Sequence, residues 1–149
     1  MLSRPSTGRA ADAPVRAVLD ANVLISAILS PRGTPARLVL AWQAGAFDLV
    51  VSPLLLAGVR RALAYPKLER LVLSADADAF VAWLGGAAKL AADPAGPPPV
   101  RSNDPGDDYL IALAAAEQAL LVSGDAHLTS LAPRVPVRTP AEFLAGLGA

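Results

Sequence analysis

The sequence predicts an α/β fold in three layers, with a central, mostly parallel sheet flanked by helices. Two observations predict it. Short continuous apolar runs of strand length alternate with segments whose apolar residues recur at helical spacing. Strands that read as unbroken apolar runs are buried on both faces, which is the condition of a parallel sheet between helices.

The elements follow in order. Residues 1–14 are small, polar and Pro-containing, and are expected to form a disordered leader ahead of one domain over 15–149. Val15 to Leu19 reads as a strand, Val23 to Ser30 and Thr34 to Ala44 as helices, and Phe47 to Val51 as a second strand. Ser52-Pro53 is a helix start, with Ser as N-cap and Pro in the first turn, and the helix is expected to reach Ala64 before Tyr65-Pro66 ends it. Ser74 opens another helix, carried by Ala77, Phe80, Val81 and Leu84 and weakened at Gly85-Gly86. After a Pro-rich connection, Pro94 to Pro99, Asp104-Pro105 begins a helix running to Gln118. Leu120 to Ser123 is a short buried strand, Val135 to Arg138 the last strand, and Thr139-Pro140 starts a final helix.

Composition narrows the function. Hydrophobic residues make up 54% of the 149, yet Pro, Gly or charge breaks every run short of a membrane span. No cysteine is present and no secretory signal opens the chain, so the expected location is cytoplasmic. Thirteen basic residues balance thirteen acidic ones, so nucleic-acid binding would have to rest on a local patch. One histidine and no cysteine exclude the usual zinc sites and leave carboxylates as ligands for any metal.

In open parallel sheets, ligands collect at the carboxyl ends of the strands. Asp20 directly follows the first strand, Asp125 follows the Leu120 strand through Gly124, expected to permit a tight turn, and Asp104, Asp107 and Asp108 cluster at the start of the intervening helix. Carboxylates converging on one cleft repel each other unless a hard cation neutralises them, and oxygen ligands suit Mg²⁺ or Mn²⁺. The chemistry suggested is phosphate-ester hydrolysis. A plainer reading stays open for each: Asp20, Asp104 and Asp125 as helix caps, Asp107 and Asp108 as first-turn acids, Asn22 as a turn residue, His127 as the surface of a short helix. Arg60 and Arg61 read first as a solvated face and only second as a phosphate patch.

Taken in order, these segments resemble the PIN-domain family, in particular the PIN toxins of toxin–antitoxin systems. The resemblance rests on Leu19-Asp20-Ala21-Asn22-Val23-Leu24, on Phe47 to Pro53, on Tyr65-Pro66-Lys67-Leu68 and on Asp104-Pro105-Gly106-Asp107-Asp108. It continues through Val122-Ser123-Gly124-Asp125 and Thr139-Pro140-Ala141-Glu142-Phe143, covering residues 15 to 147. It implies a Mg²⁺- or Mn²⁺-dependent ribonuclease in which Asp20, Asp108 and Asp125 are catalytic, Asp107 is a further metal ligand, and Asn22, Ser123 and Asp104 give support. It also implies RNA as substrate, an antitoxin protein as partner and a homodimer. One departure stands out. Where the family carries a glutamate in the helix after Ser-Pro, this chain has Gly58, and no glutamate falls between Pro53 and Ala64. The alternative is therefore a degenerate PIN domain that binds RNA or a protein without cutting. A phosphotransfer enzyme fits less well: Asn22 stands where a dehalogenase-like fold would need a second aspartate, a receiver domain would need an acid where Ser52 and Pro53 stand, and Lys67 and Lys89 are badly placed.

Overall fold

The computed structural model describes residues 15–147; the expected leader, 1–14, lies outside the described residues. Strand β1 (Arg16–Leu19) leads into helices α1 (Ala21–Leu29) and α2 (Thr34–Gln43), then β2 (Asp48–Val51), α3 (Pro53–Leu63), α4 (Pro66–Glu69) and α5 (Ser74–Ala87). There follow β3 (Lys89–Leu90), a 3-10 turn (Pro105–Asp107), α6 (Asp108–Ala116), β4 (Leu120–Val122), α7 (Ala126–Thr129), β5 (Val137–Arg138) and α8 (Pro140–Leu147).

The five strands form one sheet in the order β3-β2-β1-β4-β5, and every pairing is parallel. Neighbouring residues of a strand point to opposite faces, yet Ala17, Val18, Leu19, Leu49, Val50, Val51, Leu121 and Val122 are all buried. Both faces are therefore covered, as the unbroken apolar runs predict. Starting from central β1, the chain builds outward through β2 and β3, then returns to lay β4 on the other side of β1. That reversal opens a crevice between the carboxyl ends of β1 and β4, where a ligand can reach the strand ends.

Caps fix the element boundaries. The Ser52 hydroxyl accepts from the Leu55 N–H at 3.3 Å, with Pro53 in the first turn. Thr139 and Glu142 form a reciprocal capping box at α8, with bonds of 2.8 and 3.1 Å, and Phe143 packs edge-on against Phe47 at 5.0 Å.

Several elements differ from the sequence reading. Helix α5 runs through Gly85 and Gly86, because a glycine here serves close helix packing: a Cβ on Gly85 would stand 3.3 Å from Leu56 Cδ1 of α3. Strand β3 is two exposed residues at the sheet edge with no apolar pattern to announce it. Helix α4 restarts after the break at Tyr65, with Pro66 in its first turn. The expected helix from Asp104 to Gln118 is a 3-10 turn followed by a shorter helix. It stops at a reverse turn in which Gln118 donates to the Ala115 carbonyl and Ala119 to that of Ala114. The same arrangement ends α2 at Gly45, with φ +87°, whereas α6 places Gln118 at φ 53°. A side chain in that region costs free energy that glycine avoids. Gln118→Gly is expected to stabilise the protein by about 0.5–1 kcal/mol, read as a higher denaturant midpoint with an unchanged slope.

Candidate active site

Asp20 leaves the carboxyl end of β1 and caps α1, its Oδ1 accepting from the Asn22 N–H at 3.4 Å. Only 6% exposed, it receives its strongest bond from Ser123, whose hydroxyl donates to Oδ2 at 2.7 Å. Ser123, fully buried at the end of β4, also accepts from the Asp125 N–H at 3.0 Å. One hydroxyl thus joins the two strand ends. Burial pushes the Asp20 carboxyl up, the bonds from Ser123 and from the Asn22 backbone pull it down, and the charge of Asp125 pushes it up again.

Asp125 caps α7, its Oδ1 accepting from the His127 N–H at 2.8 Å. His127 itself is exposed on that short helix. Gly124 adopts no left-handed conformation and a Cβ there would meet open space, so the tight turn expected of it is not what sets the geometry. Exposed Asn22 contributes its backbone N–H.

The acids at the start of α6 divide. Asp104, exposed, caps the 3-10 turn through the Gly106 N–H at 3.0 Å and donates its own N–H to Ser102 Oγ. Asp107 faces the crevice. Burial first, then the charges of Asp20, Asp104 and Asp125, push its carboxyl up to about 6, and its Oδ2 is buried without a partner among the described residues. Asp108, one residue on, turns away: it accepts from the Ser102 N–H at 2.8 Å and from Arg101 at 3.2 Å, pinning the preceding loop to the helix. The structure therefore gathers Asp20, Asp107 and Asp125, with Asp104 at the margin, and sets Asp108 apart.

Tyr109 and Asp93 carry no sequence signal of a site, and Arg61 reads in the sequence first as a solvated face and only second as a phosphate patch. Tyr109 is half-buried, its hydroxyl pushed up to about 12 by burial and then by Asp20, Asp107 and Asp93, with Arg61 opposing. Asp93 follows β3 and caps α3, its Oδ2 accepting from the Leu54 N–H at 2.9 Å while Oδ1 is buried and unpartnered among the described residues. The rule that finds acids after strands reaches Asp93 only once β3 is known. Arg61 separates from Arg60, which pairs with Asp78 and donates to Ser74 Oγ at 3.0 Å.

Oxygen donors only, three mutually repelling carboxyls and an unpartnered buried oxygen on Asp107 fit a hard divalent cation. Among the described residues no three acids or histidines are grouped so that they could hold an ion together, so such an ion would rest on fewer direct protein ligands and keep several waters, as Mg²⁺ commonly does.

The family model described as PIN domain matches residues 16–127, which carry β1 through β4 and all of these acids. The chain belongs to the PIN-domain family. No curated protein matches the sequence of this PIN domain. Among solved structures it is similar to PAE2754 from Pyrobaculum aerophilum, with a TM-score of 0.62 at 18% identity over 97% of this chain and 99% of that one. It is also similar to VapBC2 from Rickettsia felis, solved bound to a DNA fragment from their promoter, with a TM-score of 0.59 at 15% identity over 84% of this chain and 98% of that one. At such identities the likeness is one of fold. No helix among the described residues is long and apolar enough to cross a membrane.

Proposed function

We propose that this PIN domain is an endoribonuclease in which Asp20, Asp107 and Asp125 hold Mg²⁺ or Mn²⁺, and that it acts as the toxin of a toxin–antitoxin pair in the cytoplasm. The observation that carries the reading is the meeting of these three carboxyls at the crevice between β1 and β4, where the charge of Asp125 raises the proton affinity of Asp20 and the charges of both raise that of Asp107. A bound divalent ion supplies polarisation of a phosphoryl oxygen and a lowered pKa for its water. Ser123 fixes the Asp20 carboxylate toward the crevice and ties Asp125 to the same point, so the acids keep their spacing as charge is neutralised. Asp104 holds the turn that presents Asp107, and Asp108 anchors the loop behind it. The antitoxin partner and the homodimer belong to the same reading, supported by the sequence resemblance and, for the antitoxin, by the likeness to VapBC2.

Calorimetric titration of Mn²⁺ and Mg²⁺, with cleavage of a structured RNA under the same conditions, tests it. The expected result is cation binding and cleavage in the parent, with both lost in a folded Asp20→Asn variant; unchanged cleavage in that variant would sink the assignment. Gly58 favours a second reading, a PIN domain that binds without cutting. RNA binding with neither cation binding nor cleavage in the parent would select it.

A further inference from the structure

Glycine in the interior of a helix costs about 1 kcal/mol relative to alanine, so Gly58 calls for a reason in what it faces. A Cβ built there would stand 3.6 Å from the Tyr109 hydroxyl and 3.8 Å from Arg61 Nη2, ordinary contact distances. The missing side chain therefore leaves a notch in the crevice wall whose rim carries a hydroxyl donor and a guanidinium. The two arginines of α3 have opposite fates. Arg60 is committed to Asp78 and Ser74 of α5, whereas exposed Arg61 makes no ion pair among the described residues, although its charge and those of Asp20 and Asp107 all act on the Tyr109 hydroxyl.

A guanidinium left unpaired beside an acidic crevice, with a hydroxyl next to it and no side chain between, matches the recognition of a phosphate group. We propose that Gly58, Arg61 and Tyr109 form a subsite for an RNA backbone phosphate, with Arg61 and Tyr109 donating to its oxygens and Gly58 leaving the room it needs. The subsite positions the strand and performs no bond-making step. It rests on RNA being the substrate, but not on the acids holding metal.

The test is fluorescence anisotropy of a labelled single-stranded RNA oligonucleotide with the full chain in excess chelator, measured across a salt series, so that neither cleavage nor a bound ion contributes. Arg61→Ala is expected to weaken binding about tenfold near 0.1 M salt and to reduce the salt slope by about one, the signature of one lost phosphate contact. Tyr109→Phe should weaken binding about threefold with the slope unchanged. Gly58→Glu, whose Cβ would meet only ordinary contacts, should weaken it about tenfold by filling the notch and pairing with Arg61. Arg60→Ala, whose guanidinium is already committed, should leave affinity and slope as in the parent. The proposal is overturned if Arg61→Ala binds with the parent's affinity and slope, if Arg60→Ala loses as much as Arg61→Ala, if Gly58→Glu leaves binding unchanged, or if the parent binds no RNA in chelator. Failure of the cation reading shows separately, as absent calorimetric binding, and leaves this result standing.

Discussion

Asp107→Asn is expected to abolish cation binding and lower RNA cleavage about a thousandfold or more, while making the metal-free protein more stable. The stabilisation follows from the raised carboxyl, about 6 in the folded chain against an ordinary 3.8. Above pH 6 the carboxylate is ionised in both states and the folded state carries the whole penalty of burial and repulsion. As pH falls from 6 toward 4 the folded chain takes up a proton that the unfolded chain does not, and the penalty shrinks. Below pH 4 both states are protonated and the penalty is gone. The gain from Asn is therefore full at pH 7 to 8, about 1 kcal/mol after screening at a half-exposed site, and absent near pH 3. Asp108→Ala should do the reverse. Losing the acceptor for the buried Ser102 N–H and the Arg101 pair costs about 2 kcal/mol of stability, with cation affinity kept within a few-fold. Denaturant melts in chelator at pH 3 and 8, with calorimetry on each variant, read both effects. A folded Asp108→Ala that binds no cation, beside an Asp107→Asn that still does, would return the ligand role to Asp108.

Ser123→Ala is expected to lower stability by about 2–3 kcal/mol, because one hydroxyl serves two groups in a site without water access of its own. Its removal leaves Asp20 Oδ2 without a donor and the Asp125 N–H without an acceptor. It also removes the bond that pulls the Asp20 carboxyl down, so that pKa rises further and the acid side of any cation-binding profile moves to higher pH. Ser123→Thr keeps the hydroxyl and should recover most of both effects if the added methyl is accommodated. A pH series of cation titrations separates this from mere loss of fold, since a structural defect alone would not shift the midpoint.

Sequence by itself determined the layered α/β fold, since unbroken apolar strands such as Ala17-Val18-Leu19 have no stable home except between two covered faces. It also determined where the acids fall, because Asp20 and Asp125 must stand at strand ends whatever the strand order. Three things were decided only in the tertiary structure. Whether Asp107 or Asp108 faces the crevice depends on how the 3-10 turn hands over to α6, since adjacent helical residues point about 100° apart and the DD pair reads the same either way. Arg60 and Arg61 are equally ambiguous until α5 packs against α3 and claims one of them. Asp93 and Tyr109 join the site through contacts across distant parts of the chain, and Asp93 does so behind a two-residue strand stabilised by pairing with β2 rather than by its own residues. Local pattern reports what a residue prefers; which neighbour it meets depends on packing between elements that the pattern does not encode.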